Sequence, residues 1–582
     1  MQRLLTKCKS QCCRPTSTSI FPSLKYFSSI YKPRGDDKSP YNLKVGDSVQ
    51  GFHVKVIEEI PLYSMKAFAL EHDKTKAKYL HLHCMDQNNC FAVGFRTTPK
   101  DNKGTSHILE KLMLCGSTRY PVRDPFAHMV KRSLNNQMNA WTGTDFTTFL
   151  FSTHNQQDFE NLMSVYLESV YNPLLDYYDF LNEAWHYEFL REDNPDSELL
   201  ITGGVYNQMK GYHQTPDNIF IEAIQSNLYN ETPYKNCAGG IPKDIALNSY
   251  EEIKENHKRL YHPSNSFFYS YGDLDFLDHL KYLENNFLKQ FEYQDPQTSV
   301  PLQKRENIPL EYKISCPPSS SAIDPRLQSQ FAVSYLCNDI TQDPITSISL
   351  NILSYMLFET PESPFYQALL ESGRTTGYCA GYGFDMNTKE ASFTIGAKNL
   401  SSSYGEMMQI NQLIEDTLKK VVDEGFSQDF IESILHQVEF QAKLPKIDFG
   451  VSVLQSLIPL LNHGGDPIAF LKINQTMGEI RKRLRKGKYF ESLIEKFFIN
   501  NKHQIRVIMT PDKNFIKDQS ENEEKALKEI QKNMNMKEKE RIIRQVSFFI
   551  ELSYITLSNF EQNIDIYLEQ RARTETGRNS RY

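Results

Sequence analysis

Ser106-His107-Ile108-Leu109-Glu110-Lys111-Leu112 is one residue short of a zinc-binding helix turn, and that residue separates the fold the stretch announces from the chemistry it would support. An H-x-x-E-H turn puts two imidazoles at i and i+4 on one helix face, with a carboxylate beside them. Here His107 and Glu110 occupy the first two positions and Lys111 stands where the second imidazole belongs. A lysine ammonium, with a reference pKa of about 10.4, has no lone pair to give a cation.

Working outward, Gly104-Thr105-Ser106 precedes the motif and offers Ser or Thr as a cap, while Cys115-Gly116-Ser117 predicts a stop at glycine. Upstream, Phe52 to Ile57 and Lys78 to His83 carry period-two features of sheet strands. The alternating imidazoles His81 and His83 read as surface residues rather than a metal pair. The stretch 295–321, rich in Pro, Gln and Ser, reads as a connection. A second unit then runs from Gln330-Phe331-Ala332-Val333-Ser334-Tyr335-Leu336 to Val507-Ile508-Met509 in the same strand-and-helix style, without a second H-x-x-E element. Beyond Asp512 the composition turns to Lys, Glu and Gln, which predicts a solvent-facing helix or hairpin, and the ending reads as a basic tail.

A chain of 582 residues predicts about three or four domains from length alone. Hydrophobic residues at 40% and a net charge of -7 describe an ordinary globular composition and argue against a nucleic-acid partner. No apolar run reaches the roughly 18 residues of a membrane span. The ten cysteines have no paired C-x-x-C spacing and read as reduced thiols. Cys8, Cys12 and Cys13 fall in residues 1–35, where seven Lys and Arg, many Ser and Thr and no acid form a transit-peptide composition. A basic tail is the plainer alternative.

These residues resemble a family. The motif through Leu114-Cys115-Gly116-Ser117, then Leu134 with Asn139-Ala140-Trp141-Thr142, Asn207-Gln208-Met209-Lys210-Gly211 and Tyr261-His262-Pro263-Ser264-Asn265 are similar to the presequence proteases of the pitrilysin (inverzincin) group. The second unit adds Ser363-Pro364-Phe365-Tyr366 through Gly373, and His463-Gly464-Gly465-Asp466-Pro467. The resemblance covers about residues 41 to 540. It implies an α+β fold of homologous pitrilysin-type α/β sandwich domains, four in the family, arranged as two halves that a helical hairpin joins around a peptide chamber. The expected division is a transit peptide at 1–35, a first domain at 41–294 carrying a degenerate zinc site, a second at 322–512, and the start of the helical linker with a tail at 513–582.

By the resemblance, His107 keeps a zinc-ligand position, Glu110 is the vestigial general base, and the other two ligand positions fall on Lys111 and Gln208. Asn139, Ala140 and Thr142 fall at substrate-binding positions. A catalytic zinc normally has three protein ligands plus water, and an imidazole with a neutral amide does not make that set. The two departures balance in charge: the family's zinc, two imidazoles and two carboxylates sum to zero, as do Lys111, Glu110, neutral His107 and Gln208. The plain alternatives are that His107 is a hydrogen-bonded helix residue and that Glu110 pairs with a neighbouring cation.

The resulting expectation is a mitochondrial matrix protein, related to zinc metalloendopeptidases, with zinc absent or weakly bound. It would act as a peptide-binding or scaffold subunit, with a second chain supplying the family's C-terminal half. One alternative is a working zinc endopeptidase of targeting peptides and other short unfolded peptides, using a rearranged ligand set or a partner chain. Another is a truncated gene fragment.

Overall fold

Lys78–His83 forms the strand its alternation predicts, and Phe52–Ile60 extends the one beginning at Phe52. The structure is a computed structural model describing residues 41–548 apart from Arg123, Ser320, Ser321, Ile323 and Pro445. The transit peptide, Cys8, Cys12, Cys13 and the basic tail lie outside the described residues. From Lys44 onward the described chain forms one contact-linked unit.

The first sheet has eight strands, in the spatial order Ser48–Val49, Phe52–Ile60, Met65–His72, Lys78–His83, Ser266–Gly272, Asn89–Arg96, Phe146–Thr153 and Asn135–Thr142. Its kernel is Lys78–His83 parallel to Ser266–Gly272, which is antiparallel to Asn89–Arg96, which is antiparallel to Phe146–Thr153. The second sheet repeats that kernel in order and direction: Leu310–Cys316 parallel to Gln504–Pro511, then Ser329–Asp339 and Glu390–Leu400, each antiparallel to its predecessor. Chain order within each kernel is also the same. The α+β fold is thus two homologous pitrilysin-type α/β sandwiches followed by helices. After the second kernel strand one copy places the motif helix Thr105–Met113 and the other Pro344–Phe358.

Two expectations need correction. The second sheet takes its first strand from inside the stretch read as a connection, because Leu310–Cys316 alternates half-buried and exposed positions in the period of a strand. The length-based count of three or four domains also fails, because the two sheets share one apolar core. A single cluster joins Met65, Leu80 and Tyr269 to Phe331, Tyr335 and Phe393. The halves also exchange cover. Helix Pro216–Leu228, from the first half, lays Phe220, Ile224 and Leu228 against Val507 and Met509 of the second sheet. Helix Phe449–His463, from the second half, crosses Asn89–Arg96 and Ser266–Gly272, where the Tyr269 hydroxyl donates to the Gly450 carbonyl at 2.9 Å.

The charged C-terminal segment is helical over Phe515–Asn533 and again over 536–548. It is less solvent-facing than its composition predicts: Leu527 and Ile542 bury against Phe189 and Leu199. Glu523 takes the Tyr206 hydroxyl at 2.8 Å and the Lys210 ammonium at 2.7 Å.

His81 is not a surface residue: it is 1% exposed, and its Nδ1 lies 2.7 Å from the Ser270 hydroxyl. It is one of several core imidazoles kept neutral by burial, with His257 pushed down to about 4 and His279 to about 3. Below the ordinary histidine value of 6.5 the unfolded chain takes up protons that these folded sites refuse, so stability falls as pH drops from 6.5 towards 4. For His257 the loss by pH 4 is about 3 kcal/mol, at 1.36 kcal/mol per pH unit. Urea midpoints measured between pH 7 and 4 should fall, and the fall should be smaller in His257→Gln. A midpoint flat over that range would contradict the assignment.

Candidate functional site

The motif helix begins without the side-chain cap its Ser and Thr offered. Its N-cap is Gly104, with φ +67°, while the Thr105 hydroxyl goes to Asn248 and the Ser106 hydroxyl to the Thr97 carbonyl. Glycine is required there by a close approach as well as by conformation: a Cβ on Gly104 would lie 2.4 Å from the Gly239 carbonyl oxygen. The Gly239–Gly240 turn is therefore pressed against the start of the helix, and it supports the first site residue. His107 is 7% exposed, and its Nδ1–H donates to the Gly239 carbonyl at 3.3 Å. Burial pushes its pKa down, Lys111 adds to that, and Glu110 and the Gly239 bond oppose it, so the ring is neutral at pH 7.

Glu110 is buried, at 3% exposure, and both carboxylate oxygens are taken. The Lys111 ammonium donates to Oε1 at 3.0 Å and the Thr142 hydroxyl to Oε2 at 2.6 Å. Neighbours at i and i+1 on a helix do not face each other, so the lysine chain bends back to reach its partner. Its own side chain is 34% exposed, which leaves the ammonium at the rim over a buried carboxylate. Thr142, placed by sequence among substrate positions, spends its hydroxyl inside the site. It comes from Asn135–Thr142, one of the two outermost strands of the first sheet among the described residues. On the same strand Asn139 is exposed and Ala140 half-buried, and the Asn139 Oδ1 accepts from the Ala140 amide at 2.9 Å.

Gln208 lies on helix Gly204–Tyr212, and its side chain is exposed. It takes no part in the bonds that hold His107, Glu110 and Lys111. Its buried neighbour Met209 does reach the site's edge, since a Cβ on Gly239 would meet the Met209 thioether carbon at 2.8 Å and His107 Nδ1 at 3.9 Å. Sequence reasoning passed over this turn, although the doublet Gly239-Gly240 was a signal for it. A cavity of about 350 Å³ between Thr98, Glu231, Lys235 and Arg259 includes none of the motif residues.

The residues present do not fit a catalytic zinc. One neutral imidazole, an ammonium already paired with the would-be base, and an outward amide do not supply three donors. The arrangement positions a buried carboxylate, and does so with an internal cation.

A repeated α/β sandwich whose first copy carries a buried H-x-x-E helix turn defines a metallopeptidase-like class. The pattern of the insulinase family (peptidase family M16) matches residues 90–238, and that of the peptidase M16 inactive domain matches 248–438. The chain belongs to this family, and within it is presequence protease-like. The mitochondrial presequence protease of Danio rerio is 38% identical over 506 residues, covering 86% of this chain and 49% of that protein. The chain spans about half the length of the curated relatives it matches. Among solved structures, a protease from Helicobacter pylori superposes with a TM-score of 0.58 at 15% identity, over 77% of this chain and 100% of its own. A peptidase M16 inactive domain from Pseudomonas fluorescens also gives 0.58, at 12% identity, over 77% of this chain and 98% of its own. At those identities the likeness shows the fold alone.

Proposed function

We propose that this chain is a mitochondrial presequence-protease-like protein, of the matrix, that has lost zinc-dependent hydrolysis and binds extended peptides as a binding or scaffold subunit. The observation that carries the reading is the Lys111–Glu110 ion pair at 3.0 Å. In a zinc peptidase the carboxylate must accept a proton from a water whose pKa a metal has lowered from about 15.7 towards 7. Here one of its oxygens holds an ammonium that sits in the second imidazole's sequence position, and the other holds Thr142. Peptides as the ligand class, and the mitochondrion as the place, rest on the relatives' name, mitochondrial presequence protease. An outermost strand such as Asn135–Thr142 is the kind of edge to which an extended peptide adds. A second chain corresponding to the rest of the relatives' length belongs to the same reading, and native sizing should give a mass well above that of one chain; a lone monomer would count against it.

With a fluorescent targeting peptide, the expected result is saturable binding and no cleavage that chelator or Glu110→Gln abolishes. Degradation that stops with either treatment would establish the zinc endopeptidase instead.

A further inference from the structure

Behind the Gly239–Gly240 turn from His107 lies a second group of ligand-type side chains. His213 caps the C-terminal end of helix Gly204–Tyr212, Glu222 sits on the bridging helix Pro216–Leu228, and Cys237 precedes the turn. One donor atom from each, a ring nitrogen, a carboxylate oxygen and the thiol sulfur, all lie within 4.8 Å of one another. From these three residues we infer a divalent-metal site of the zinc type, separate from the helix motif and independent of whether that motif is active.

Geometry comes first. His213 Nε2 lies 3.1 Å from the Gly240 carbonyl, to which its N–H donates, and this leaves Nδ1 facing Glu222 Oε2, also at 3.1 Å. Metal-bound imidazoles almost always give their other N–H to a carbonyl or carboxylate, which fixes ring and tautomer. That partner is already in place. Tetrahedral zinc, with bonds of about 2.0 to 2.3 Å, sets its donors about 3.3 to 3.8 Å apart, so the His213–Glu222 pair at 3.1 Å is already close enough and only Cys237 has to move in, by up to roughly 1 Å. Cys237 is a half-buried side chain with a rotatable bond to make that movement.

Charge agrees with the geometry. A thiolate, a carboxylate and a neutral imidazole carry two negative charges, which one divalent ion neutralises; N, O and S together suit zinc better than magnesium or calcium. Without an ion, protons hold the cluster together. Burial and then Glu222 push the Cys237 thiol far above its ordinary value. Burial works to lower His213, but the bond to Glu222, the Glu222 charge and the Gly240 bond together outweigh it and raise the imidazole. An incoming ion takes the place of the proton His213 shares with Glu222 and of the thiol proton, both of which leave to solvent.

The site's position links it to the motif helix. Gly239 presents its carbonyl to His107 and Gly240 presents its own to His213, so adjacent peptides are gripped by imidazoles from two different centres. An ion here ties that turn to the helix bridging the two sheets.

The test is cobalt(II) titration of the full chain, following the thiolate-to-cobalt charge-transfer band, with zinc competition. Expected are one ion per chain, loss of the band in Cys237→Ser, affinity weakened at least about 100-fold in His213→Ala, and no change in His107→Ala. Absence of the band in the parent chain overturns the inference, as does binding that survives Cys237→Ser but is lost in His107→Ala. Because a variant can fail to fold, the unaltered protein is also alkylated with and without zinc and mapped by mass spectrometry. Protection of Cys237 but not Cys115 supports the site; equal labelling of Cys237 in both conditions refutes it.

Discussion

The double variant Lys111→His with Gln208→Glu is expected to bind zinc at the motif helix at least about 10,000-fold more tightly than the parent. That factor takes about 100-fold per restored donor as a floor, since losing even a second-layer partner of a zinc site costs about 10 to 100-fold. The structure favours the outcome at one position and resists it at the other. Lys111 already lies at the rim of the site, 3.0 Å from Glu110, so an imidazole replacing it removes the cation that now holds the carboxylate. Gln208 has farther to come, because its side chain is exposed, although its neighbour Met209 touches the turn under His107. Each single change should gain far less than the pair, about 100-fold at most, and Gln208→Glu alone adds an unpaired negative charge. The measurement is chelator competition in a Cys237→Ser background, so that the His213 cluster does not contribute. Equal affinity of parent and double variant there would mean that the pocket itself, and not only its donors, has diverged.

The motif and its neighbouring blocks made the fold legible because they are local: a helix turn, strand periods and turn doublets are each read within ten residues. Lys78–His83 was readable on that basis. What the chain hid was long-range. Nothing near residue 142 marks Thr142 as the hydroxyl partner of Glu110, 32 positions away. The alternation of His81 and His83 is that of a strand half open to water, yet the packing of Phe276 over His81, with ring centroids 4.5 Å apart, closes that face. The strand Leu310–Cys316 was masked by the Pro and Ser around it. The trio of His213, Glu222 and Cys237 is spread over 25 residues and meets only because two helices and a turn converge.

The same long-range logic makes Asp145→Ala a strongly destabilising change. Asp145 is 1% exposed and sits where the halves meet. Its Oδ2 takes the Tyr234 hydroxyl at 2.6 Å and lies 2.8 Å from His463 Nε2, while its Oδ1 accepts from the Asn462 side chain at 2.9 Å. Asn462 and His463 end the helix that crosses the first sheet, and Arg96 of that sheet donates through Nε to the Asn462 carbonyl at 2.8 Å. Tyr234 faces both ways, since its oxygen also accepts the Lys389 amide at 2.9 Å. Removing the carboxylate takes a partner from three buried groups of both halves at once, and leaves the Tyr234 O–H and His463 Nε2 only each other, at 3.2 Å. An unsatisfied buried donor costs about 1 to 3 kcal/mol, and more than one is affected, so the variant should lose about 3 kcal/mol. Tyr234→Phe, which removes one hydroxyl and leaves the carboxylate its other partners, should lose about 1 to 2 kcal/mol. Denaturant unfolding of the three proteins side by side gives the comparison, and a loss below about 1 kcal/mol in Asp145→Ala would show that the shared apolar core, rather than this polar clasp, holds the halves together.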